Sequence, residues 1–531
     1  MIEQIAYIKP EIALFLTTCA VMIVGLSKSV EWRRTCVWWC VLGLVIAFGF
    51  AINTEPNPNS LFPEWIPFVK ATVAGVGLLM LLVVVGTVDR DLEARVAAGK
   101  AVYSSLYATR AEFYAFFMFS LTGLMLVASA DDLIWLFLAL ELTSLPTYMM
   151  VTISTRGNRS QEAGVKYFFL GALGAAIFLY GFALLYGATG TTDIAEIAAV
   201  FASDGISTLG IAGLLLAVLG VSFKIAAVPM HFYTPDVYQG AASPVSAFLA
   251  FVPKTAGFLA ILLLTGMAGW HFGAHGDDLP RALHVMLWVV AAVTMTVGNV
   301  LALLQNSVKR VLAYSSIAHS GYMLVGVIAG PGEVGGPFWR SGVAAVLFYL
   351  MAYGVMNLGA FAALACLEGR NGREADSFDD IRGLCARSPL VGWSMVVSAL
   401  SLLGMPPLLG FLGKFGLFTS GVSSGELPLV IILGVNSAIA AFYYLRIVAT
   451  AALDKGEAGE GMTLAPIRAR RLAAMLSACG AVGLIVAGQP LMRASLRASD
   501  YEGPVAPTSA GHDSDEGASQ PETPIASNDH D

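Results

Sequence analysis

Apolar runs of about 18 residues or longer recur from one end of the chain to the other. A helix of that length crosses the ~30 Å hydrocarbon core of a bilayer. The composition agrees, because 57% of the residues are hydrophobic and only 13% are charged, against ~25% charged residues in soluble domains. Backbone groups in lipid must bond within their own segment. The sequence therefore predicts an all-α polytopic membrane protein.

About fourteen spans are predicted, and two of them look broken. The spans lie near residues 10–27, 36–52, 68–88, 112–130, 132–153, 165–187, 208–229, 244–265, 282–304, 309–329, 341–366, 390–420, 427–450 and 470–490. The segment 390–420 is too long for one straight span and contains Pro406 and Pro407, while 208–229 ends at Pro229. Proline removes a backbone donor and clashes with the preceding turn, so both helices are expected to be interrupted.

The spans divide the chain into five parts. These are an N-terminal three-helix segment (1–111), a first five-helix repeat (112–265), a second five-helix repeat (282–450), a C-terminal helix (466–492) and an acidic tail (499–531). A broken, lysine-bearing span is fourth in each repeat, as inverted repeats of a transporter would allow. The tail is rich in Pro, Ser, Asp and Glu and is predicted to be disordered.

The distribution of basic residues predicts the orientation. Of the 30 Lys and Arg residues, 21 fall in one alternate set of loops and six, including Lys70, in the opposite set. Loops rich in Lys and Arg stay on the cytoplasmic side, so both termini are predicted to be non-cytoplasmic. The first apolar run follows Glu3 and Glu11 with no basic segment before it, so a cleaved signal peptide is not expected.

Three lysines and one glutamate remain inside the predicted spans. They are Lys224, Lys254, Lys414 and Glu141. A charged group at the centre of a spanning helix costs ~2.5–3.5 kcal/mol on insertion scales. Such a group is retained where it pairs, faces water or has a function. Basic residues nearer the span ends are expected to extend to the headgroups instead. These are Lys166, Lys309 and Arg446.

Desolvated lysines are suited to proton transfer, because such a side chain both takes up and releases a proton near neutral pH. A site for calcium or magnesium is not expected, since these ions need several oxygen ligands and the predicted spans hold one buried carboxylate. A lysine-rich interior also repels metal cations. The predicted cargo is therefore the proton.

Several motifs between residues 110 and 450 resemble one family of membrane proteins. They read LALELTSLPTYMM, AGVKYFFLGALGAAIFLYG, FKIAAVPMHFYTPDVYQGAASPVSAFLAFVPKTAGF, NVLALLQNSVKRVLAYSSIAHSGYMLVG and GMPPLLGFLGKFGLF. In these motifs the chain resembles the N subunits of proton-translocating NADH:quinone oxidoreductase, respiratory complex I, which are antiporter-like membrane subunits. Gln239 departs from the pattern, because the family more often has a glutamate there.

The resemblance implies a proton relay. Glu141 would pair with Lys224, Lys254 would be the central lysine, and Lys414 would lie in the broken twelfth span that opens towards the far side. Further candidates within the matching motifs are Lys166, His231 and His319. The implied function is proton translocation across the membrane, coupled to quinone reduction elsewhere in the complex.

The resemblance also implies partners and a location. The partners would be other membrane subunits of complex I, above all neighbouring antiporter-like subunits, within a bacterial inner membrane. NADH, FMN, iron–sulfur clusters and quinone are expected on partner subunits. No cofactor is expected in this chain, because its six cysteines lack iron–sulfur spacing and it has no dinucleotide or phosphate loop. No nucleic-acid partner is expected.

Two alternatives stay open. One is a Mrp-type cation/proton antiporter subunit, which would share the fold without quinone chemistry. The other is a structural membrane anchor whose lysines only form ion pairs. Lys414 bears on the first alternative and is typical of subunit N, since the related subunit M of complex I has a glutamate at the matching position. Three buried lysines with one buried carboxylate disfavour the anchor.

Overall fold

The computed structural model describes residues 7–57, 60–100, 108–155, 157–270, 279–333, 335–369, 373–454 and 462–501. The predicted acidic tail from residue 502 onwards lies outside these residues, as do three of the basic residues used to predict the orientation. These three are Arg156, Arg370 and Lys455.

The N-terminal segment and the first repeat are helical. The N-terminal helices are α1 (Lys9–Gly25), α2 (Val30–Arg34), α3 (Cys36–Ala51), α4 (Trp65–Val84) and α5 (Arg90–Ala97). The first repeat contains α6 (Arg110–Ala128), α7 (Leu133–Ile153), α8 (Asn158–Thr189), α9 (Ile194–Asp204), α10 (Thr208–Val221), α11 (Thr234–Gly240) and α12 (Ser243–Ala268).

The second repeat and the C-terminal segment are helical as well. The repeat contains α13 (Arg281–Leu303), α14 (Val308–Ala329), a 3-10 turn (Phe338–Arg340), α15 (Gly342–Ala365), α16 (Phe378–Ile381), α17 (Leu384–Arg387), α18 (Pro389–Leu403), α19 (Leu409–Ser423) and α20 (Leu427–Ala452). The last helices are α21 (Arg468–Gly483) and α22 (Gly488–Ala498). Two short strands, β1 (Leu367–Glu368) and β2 (Thr463–Leu464), pair antiparallel.

The spans agree with the prediction. Ten helical segments of the described chain are long and apolar enough to cross a membrane, one of them being α2 and α3 taken together, and two bent pairs would raise the number to 12. Each of the fourteen predicted spans corresponds to a helix or to a broken helix. The predicted spans outside the ten are the 17-residue α1, the 14-residue α10, the 15-residue halves α18 and α19, and α21, which bends by 86° into α22.

Both predicted breaks are present. After α10 the chain runs through turns from residue 222 to 233, and Lys224 lies within them. Between α18 and α19, residues 404–408 are not helical and contain Pro406 and Pro407. Because α19 resumes at Leu409, Lys414 lies in its second turn. The first lysine is therefore in a break and the second just beyond one.

Three helices form the centre of the protein. Every residue of α12 and α15 is buried, and so is nearly every residue of α14. By contrast, α1, α3 and α8 turn long apolar side chains outwards, as lipid-facing helices do. Polar groups carried by α12, α14 and α15 are therefore held away from lipid. This arrangement positions the site.

Two predictions about the ends of the chain need correction. The C-terminal helical segment continues past residue 492, because α22 extends to Ala498. The predicted tail also begins with packed residues: Ser499 Oγ lies 3.1 Å from Ser341 Oγ, and the Tyr501 hydroxyl donates to the Gly266 carbonyl at 2.7 Å. Residues 499–501 therefore belong to the packed bundle.

The predicted loop position of Lys70 is wrong, because this residue lies within α4. It is fully buried on α4, and its Nζ lies 2.6 Å from Glu11 Oε1 and 2.5 Å from the Tyr7 carbonyl oxygen. Glu11 therefore adds a second carboxylate inside the spans, where the sequence indicates only Glu141. The pair joins α1 to α4 outside both repeats.

Candidate functional site

The first buried pair joins α7 to the first break. Asp132 caps α7 by accepting from the backbone N–H groups of Ile134 and Trp135, and Glu141 follows near the middle of that helix. Lys224 Nζ lies 3.1 Å from Glu141 Oε1, and it also donates to the Leu140 carbonyl at 3.2 Å and to Ser144 Oγ. The predicted Glu141–Lys224 pair is therefore present.

The two partners of this pair differ in exposure. The Lys224 side chain is 2% exposed and the Glu141 side chain 19%. Glu141 lies on the outward stripe of α7, whose other members are large apolar side chains. They are Ile134, Leu138, Leu145 and Met149, all exposed. A carboxylate near the middle of an outward apolar stripe is costly against lipid.

Lys254 lies at the centre of α12 without an acidic partner in the described residues. It is 2% exposed, and its Nζ donates to Ser316 Oγ at 2.7 Å and to the Ser316 carbonyl oxygen. The Tyr353 ring lies 5.0 Å from the same Nζ, close enough for a cation–π contact. The ammonium group is thus solvated by one serine and one aromatic face.

Lys414 is held by the second break. Its Nζ donates at 2.7 Å to the carbonyl of Leu403, the last residue of α18, which the break leaves without its helical partner. The Tyr322 ring lies 5.1 Å from the ammonium group. Gly404 follows in the left-handed region at φ 88°, and a Cβ built there would lie 2.9 Å from Lys414 Cδ. Only a glycine leaves room for this lysine.

His319 lies between the second and third lysines. Its Nδ1 is 2.7 Å from the Tyr349 hydroxyl and its Nε2 is 2.9 Å from the Tyr444 hydroxyl. Its ring is 5.1 Å from that of Tyr353, which contacts Lys254, and 5.5 Å from that of Tyr322, which contacts Lys414. The tyrosines were not singled out in the sequence, because aromatic residues are common throughout the spans.

One helix connects these groups. Ser316 on α14 contacts Lys254, and Ser320, one turn further on, donates at 2.5 Å to the Ile225 carbonyl in the first break. Gly257 on α12 packs against the same break, since a Cβ built there would lie 2.9 Å from Lys224 Cβ. The break, the central lysine and the histidine are thus packed around α14.

The groups described so far form one buried line, made of Glu141, Lys224, Lys254, His319 and Lys414. Two further candidates lie away from this buried line. Lys166 is 42% exposed and pairs with Glu162 at 2.8 Å and with Asp236 at 3.0 Å. It therefore lies outside the buried line, and its ammonium group is held by two carboxylates. His231 lies in the first break, 6% exposed, with its ring 4.6 Å from that of Phe232. No side chain of the described residues bonds its Nδ1.

Lys309 was predicted to extend to the headgroups, and this is wrong. Its side chain is 5% exposed, and its Nζ lies 2.6 Å from Glu374 Oε2. Burial alone would raise the pKa of the Glu374 carboxyl, but the Lys309 charge and hydrogen bonds outweigh burial and hold that pKa below its ordinary value. Arg446 also has partners, because its guanidinium stacks 4.0 Å above Phe378 and donates to the Gln305 carbonyl.

Basic loops meet around one cavity of about 1040 Å³ at the end of α15. We call the membrane face where it opens the basic face. Its charged lining includes Arg90, Arg159, Lys309, Glu374, Asp376 and Arg470. Gln239 also lines it and bridges the two repeats, because it donates to Asp376 at 2.8 Å and accepts from Arg310 at 3.2 Å.

The charged side chains of the described residues do not form a metal centre. Across those residues, no group of three or more His, Cys, Asp or Glu side chains is arranged to hold a metal ion. The buried line instead presents lysine ammonium groups, hydroxyls, one imidazole and one carboxylate. These are groups that donate, accept and exchange protons.

Known proteins resemble this chain in sequence and in fold. A family model described as NADH:quinone oxidoreductase/Mrp antiporter, TM, matches residues 130–440. NADH-quinone oxidoreductase subunit N of Trichlorobacter lovleyi is 38% identical over 458 residues, which cover 85% of this chain and 88% of that protein. The chain belongs to the NADH-quinone oxidoreductase subunit N family.

Solved structures agree with membership of the subunit N family. A chain of respiratory complex I from Thermus thermophilus with bound aureothin matches with a TM-score of 0.72 at 30% identity, covering 91% of this chain and 98% of that one. A chain of the Mrp complex from Dietzia matches at 0.73 but is only 18% identical, and it shows the fold alone. The predicted antiporter-like fold and multi-pass membrane class are confirmed. Proton translocation is the function that family and fold support.

Proposed function

We propose that this chain is a membrane-arm subunit of a proton-translocating NADH:quinone oxidoreductase, and that it moves protons through Glu141, Lys224, Lys254 and Lys414. The observation that carries the proposal is the buried line itself. Its three lysines, Lys224, Lys254 and Lys414, are all buried, and of these three only Lys224 has a carboxylate partner among the described residues. A structural anchor would gain nothing from two unpaired ammonium groups.

The relay begins at the Glu141–Lys224 pair. While the pair is closed, the carboxylate holds Lys224 charged. When the pair opens, a buried ammonium group is left without its counter-ion, which favours release of its proton towards Lys254. The acceptor must be neutral at that moment, so the Lys254 proton moves on to Lys414. Each transfer leaves one lysine neutral and ready to be reprotonated.

The hydroxyls around His319 support the second transfer. Tyr353 and Tyr322 contact the two lysines, and His319 lies between their rings. Both imidazole nitrogens have tyrosine hydroxyl partners, so a proton gained on one nitrogen can leave from the other. His319 is therefore included in the relay. Lys166 and His231 stay candidates at its edge.

We assign the basic face to the cytoplasm, as the positive-inside rule directs. Protons would then enter at the first pair and leave beyond Lys414 on the opposite side, and both termini would be non-cytoplasmic. The membrane would be the bacterial inner membrane. Oxidation of NADH and reduction of quinone are assigned to partner subunits, since this sequence has no dinucleotide motif and no iron–sulfur cysteine spacing.

The outward stripe of α7 supports a contact with a neighbouring membrane subunit. Glu141 is the only acidic residue among the exposed or half-exposed members of that stripe, which run from Ile134 to Met149. Covering the stripe with another protein would remove the carboxylate from lipid and place a partner's groups beside the first pair. Energy from the redox reaction would reach the Glu141–Lys224 pair through that contact.

The second candidate is a Mrp-type cation/proton antiporter subunit, which the fold match to the Dietzia complex keeps open. It would be favoured if transport required sodium. The experiment uses bacterial membranes carrying the assembled complex with Lys254→Met or Lys414→Met, and with Lys28→Met as a surface control. NADH-driven quinone reduction and proton uptake are followed together, with and without sodium.

We expect both rates to fall together by ~10-fold or more in the two buried variants, the change made by ~1.4 kcal/mol in a barrier. The Lys28 variant should match the parent. Normal rates in Lys254→Met, with the complex intact, would overturn the relay. Uptake that disappears without sodium would favour the antiporter reading.

A further inference from the structure

Two buried side chains on α15 bear on how protons reach Lys254. Neither the Nδ2 nor the Oδ1 of Asn357 has a hydrogen-bond partner among the described residues, although the residue is 1% exposed. The hydroxyl of Tyr353, one turn earlier on the same helix, is also buried, and it lies beside Ser316 without a well-aligned hydrogen bond. Buried amides and hydroxyls are satisfied in nearly all proteins, by protein atoms or by ordered water.

These groups share one face of α15. Tyr353 faces Lys254, whose Nζ is 5.0 Å from its ring. Phe361 faces Tyr238, with the ring centroids 6.1 Å apart. Asn357 lies midway between them, four residues from each, so its side chain points to the same side. Ala365, a further four residues on, lines the basic-face cavity. The stripe from Tyr353 to Ala365 spans ~18 Å of helix.

Polar groups continue the stripe on the opposite wall. Ser246 on α12 donates at 2.8 Å to the Tyr238 carbonyl, and the Tyr238 and Tyr353 side chains both lie beside Ser316, the ligand of Lys254. Nearer the cavity, Ser243 donates through its N–H and its hydroxyl to Glu374, each at 2.8 Å. The seam between α12 and α15 is therefore lined with donors and acceptors from the cavity to the central lysine.

We propose that the seam between α12 and α15 holds ordered water, bound by Asn357 and Tyr353, which connects the basic-face cavity directly to Lys254. The inference rests on the proposed proton relay and adds a second access to it, separate from the Glu141–Lys224 pair. Asn357 is a positioning residue: its amide offers two donors and an acceptor to water. Glu374 and Lys309 stand at the mouth, where their ion pair lines the cavity.

The alternative is that Asn357 is a packing residue that tolerates an unsatisfied amide. Leucine keeps the branched shape of asparagine, lacks its polar atoms and is larger, so Asn357→Leu removes the groups that would bind water without leaving a cavity. Asn357→Ser is the rescue variant, since a hydroxyl still binds water. Ser398→Ala is the matched control: Ser398 on α18 is also buried with an unpartnered hydroxyl, but it lies beside Gly359 on another face of α15.

The experiment combines two measurements on the intact complex. A cryo-EM map of the parent at a resolution that shows water should contain ordered water beside Asn357, and the Asn357→Leu map should not. NADH-driven proton uptake by Asn357→Leu membranes should fall ~10-fold, equivalent to ~1.4 kcal/mol in a barrier. Most of that loss should return in Asn357→Ser, and Ser398→Ala should match the parent.

A dry seam in the parent map, or full uptake by Asn357→Leu, would overturn the proposal. Failure of this inference is distinguishable from failure of the relay, because Lys254→Met is measured in the same membranes. If Lys254→Met stops uptake while Asn357→Leu does not, the relay stands and the water route is wrong. If Lys254→Met is active, the relay itself is wrong.

Discussion

The Tyr349 hydroxyl lies 2.7 Å from Nδ1 of His319, and Tyr444 occupies the other imidazole nitrogen at 2.9 Å. All three residues are buried. The imidazole therefore serves either as a fixed link between two hydroxyls or as a group that passes protons. The two roles predict different effects of substitutions at His319 on stability and on proton uptake.

The first prediction separates these roles. His319→Gln retains hydrogen bonding to the tyrosine hydroxyls but cannot carry a proton. His319→Phe removes a partner from both hydroxyls, and the buried hydroxyl of Tyr349, left unpaired, costs ~1–3 kcal/mol. If His319 is part of the relay, His319→Gln should assemble normally and translocate protons poorly. Thermal melting of the complex is measured beside proton uptake. Full uptake by His319→Gln would limit the histidine to a structural role.

The second prediction concerns Gly404. Alanine at this position would be unfavourable for two reasons. The backbone has a left-handed φ of 88°, and the new Cβ would lie 2.9 Å from Lys414 Cδ. The left-handed backbone alone costs ~1–2 kcal/mol. Gly425→Ala is the matched control, since Gly425 has φ 83° but open space around its Cβ position.

We expect Gly404→Ala to lower both the melting temperature and the proton uptake of the complex, and Gly425→Ala to lower only the melting temperature. The difference between the variants reports the displacement of Lys414 from the Leu403 carbonyl. Equal uptake in the two variants would mean that the position of this lysine does not limit turnover.

The third prediction tests the first pair. Glu141→Gln removes the charge that balances Lys224, and an unpaired buried charge costs ~3–5 kcal/mol. Lys224 should then lose its proton and stay neutral, so uptake should fall ~10-fold or more. In the double variant Glu141→Gln, Lys224→Met, melting should recover while uptake stays low. A double variant that melts no higher than Glu141→Gln would mean that the two residues are not energetically coupled.

Much of this site could be predicted from the sequence. A lone charge in a long apolar run is visible without a structure, and that signal identified Glu141, Lys224, Lys254 and Lys414. The breaks were visible for a similar reason, because proline interrupts a helix wherever it falls inside one. These features depend on a few neighbouring residues only.

The remaining features depend on partners that are distant in sequence. Lys309 near the end of a span reads like a headgroup lysine, and nothing local indicates that Glu374, 65 residues later, folds back against it. Lys70 and Glu11 were missed for the same reason. Asn357 and the tyrosines around His319 gave no signal, since polar and aromatic residues occur in many spans and become informative only through their burial and their partners.

The last prediction uses the Lys309–Glu374 pair. Because the pKa of the Glu374 carboxyl is held below its ordinary value of 4.5, the folded protein favours the charged form. The stabilisation is present above pH 4.5 and is lost as the pH falls through the lowered pKa of the folded state. The parent should therefore melt above Glu374→Gln by a constant margin between pH 6 and pH 8, and the margin should shrink only in acid.

The range for a broken buried pair, ~3–5 kcal/mol, is an upper limit here, since the Glu374 side chain is 26% exposed. Glu368→Gln is the control, because Glu368 lines the same cavity but pairs with Arg90 instead of Lys309. Melting of the purified complex is followed at pH 5, 6, 7 and 8 for the three proteins. A margin that already shrinks between pH 8 and pH 6 would mean that Glu374 titrates near neutrality, and that Lys309 does not hold it charged.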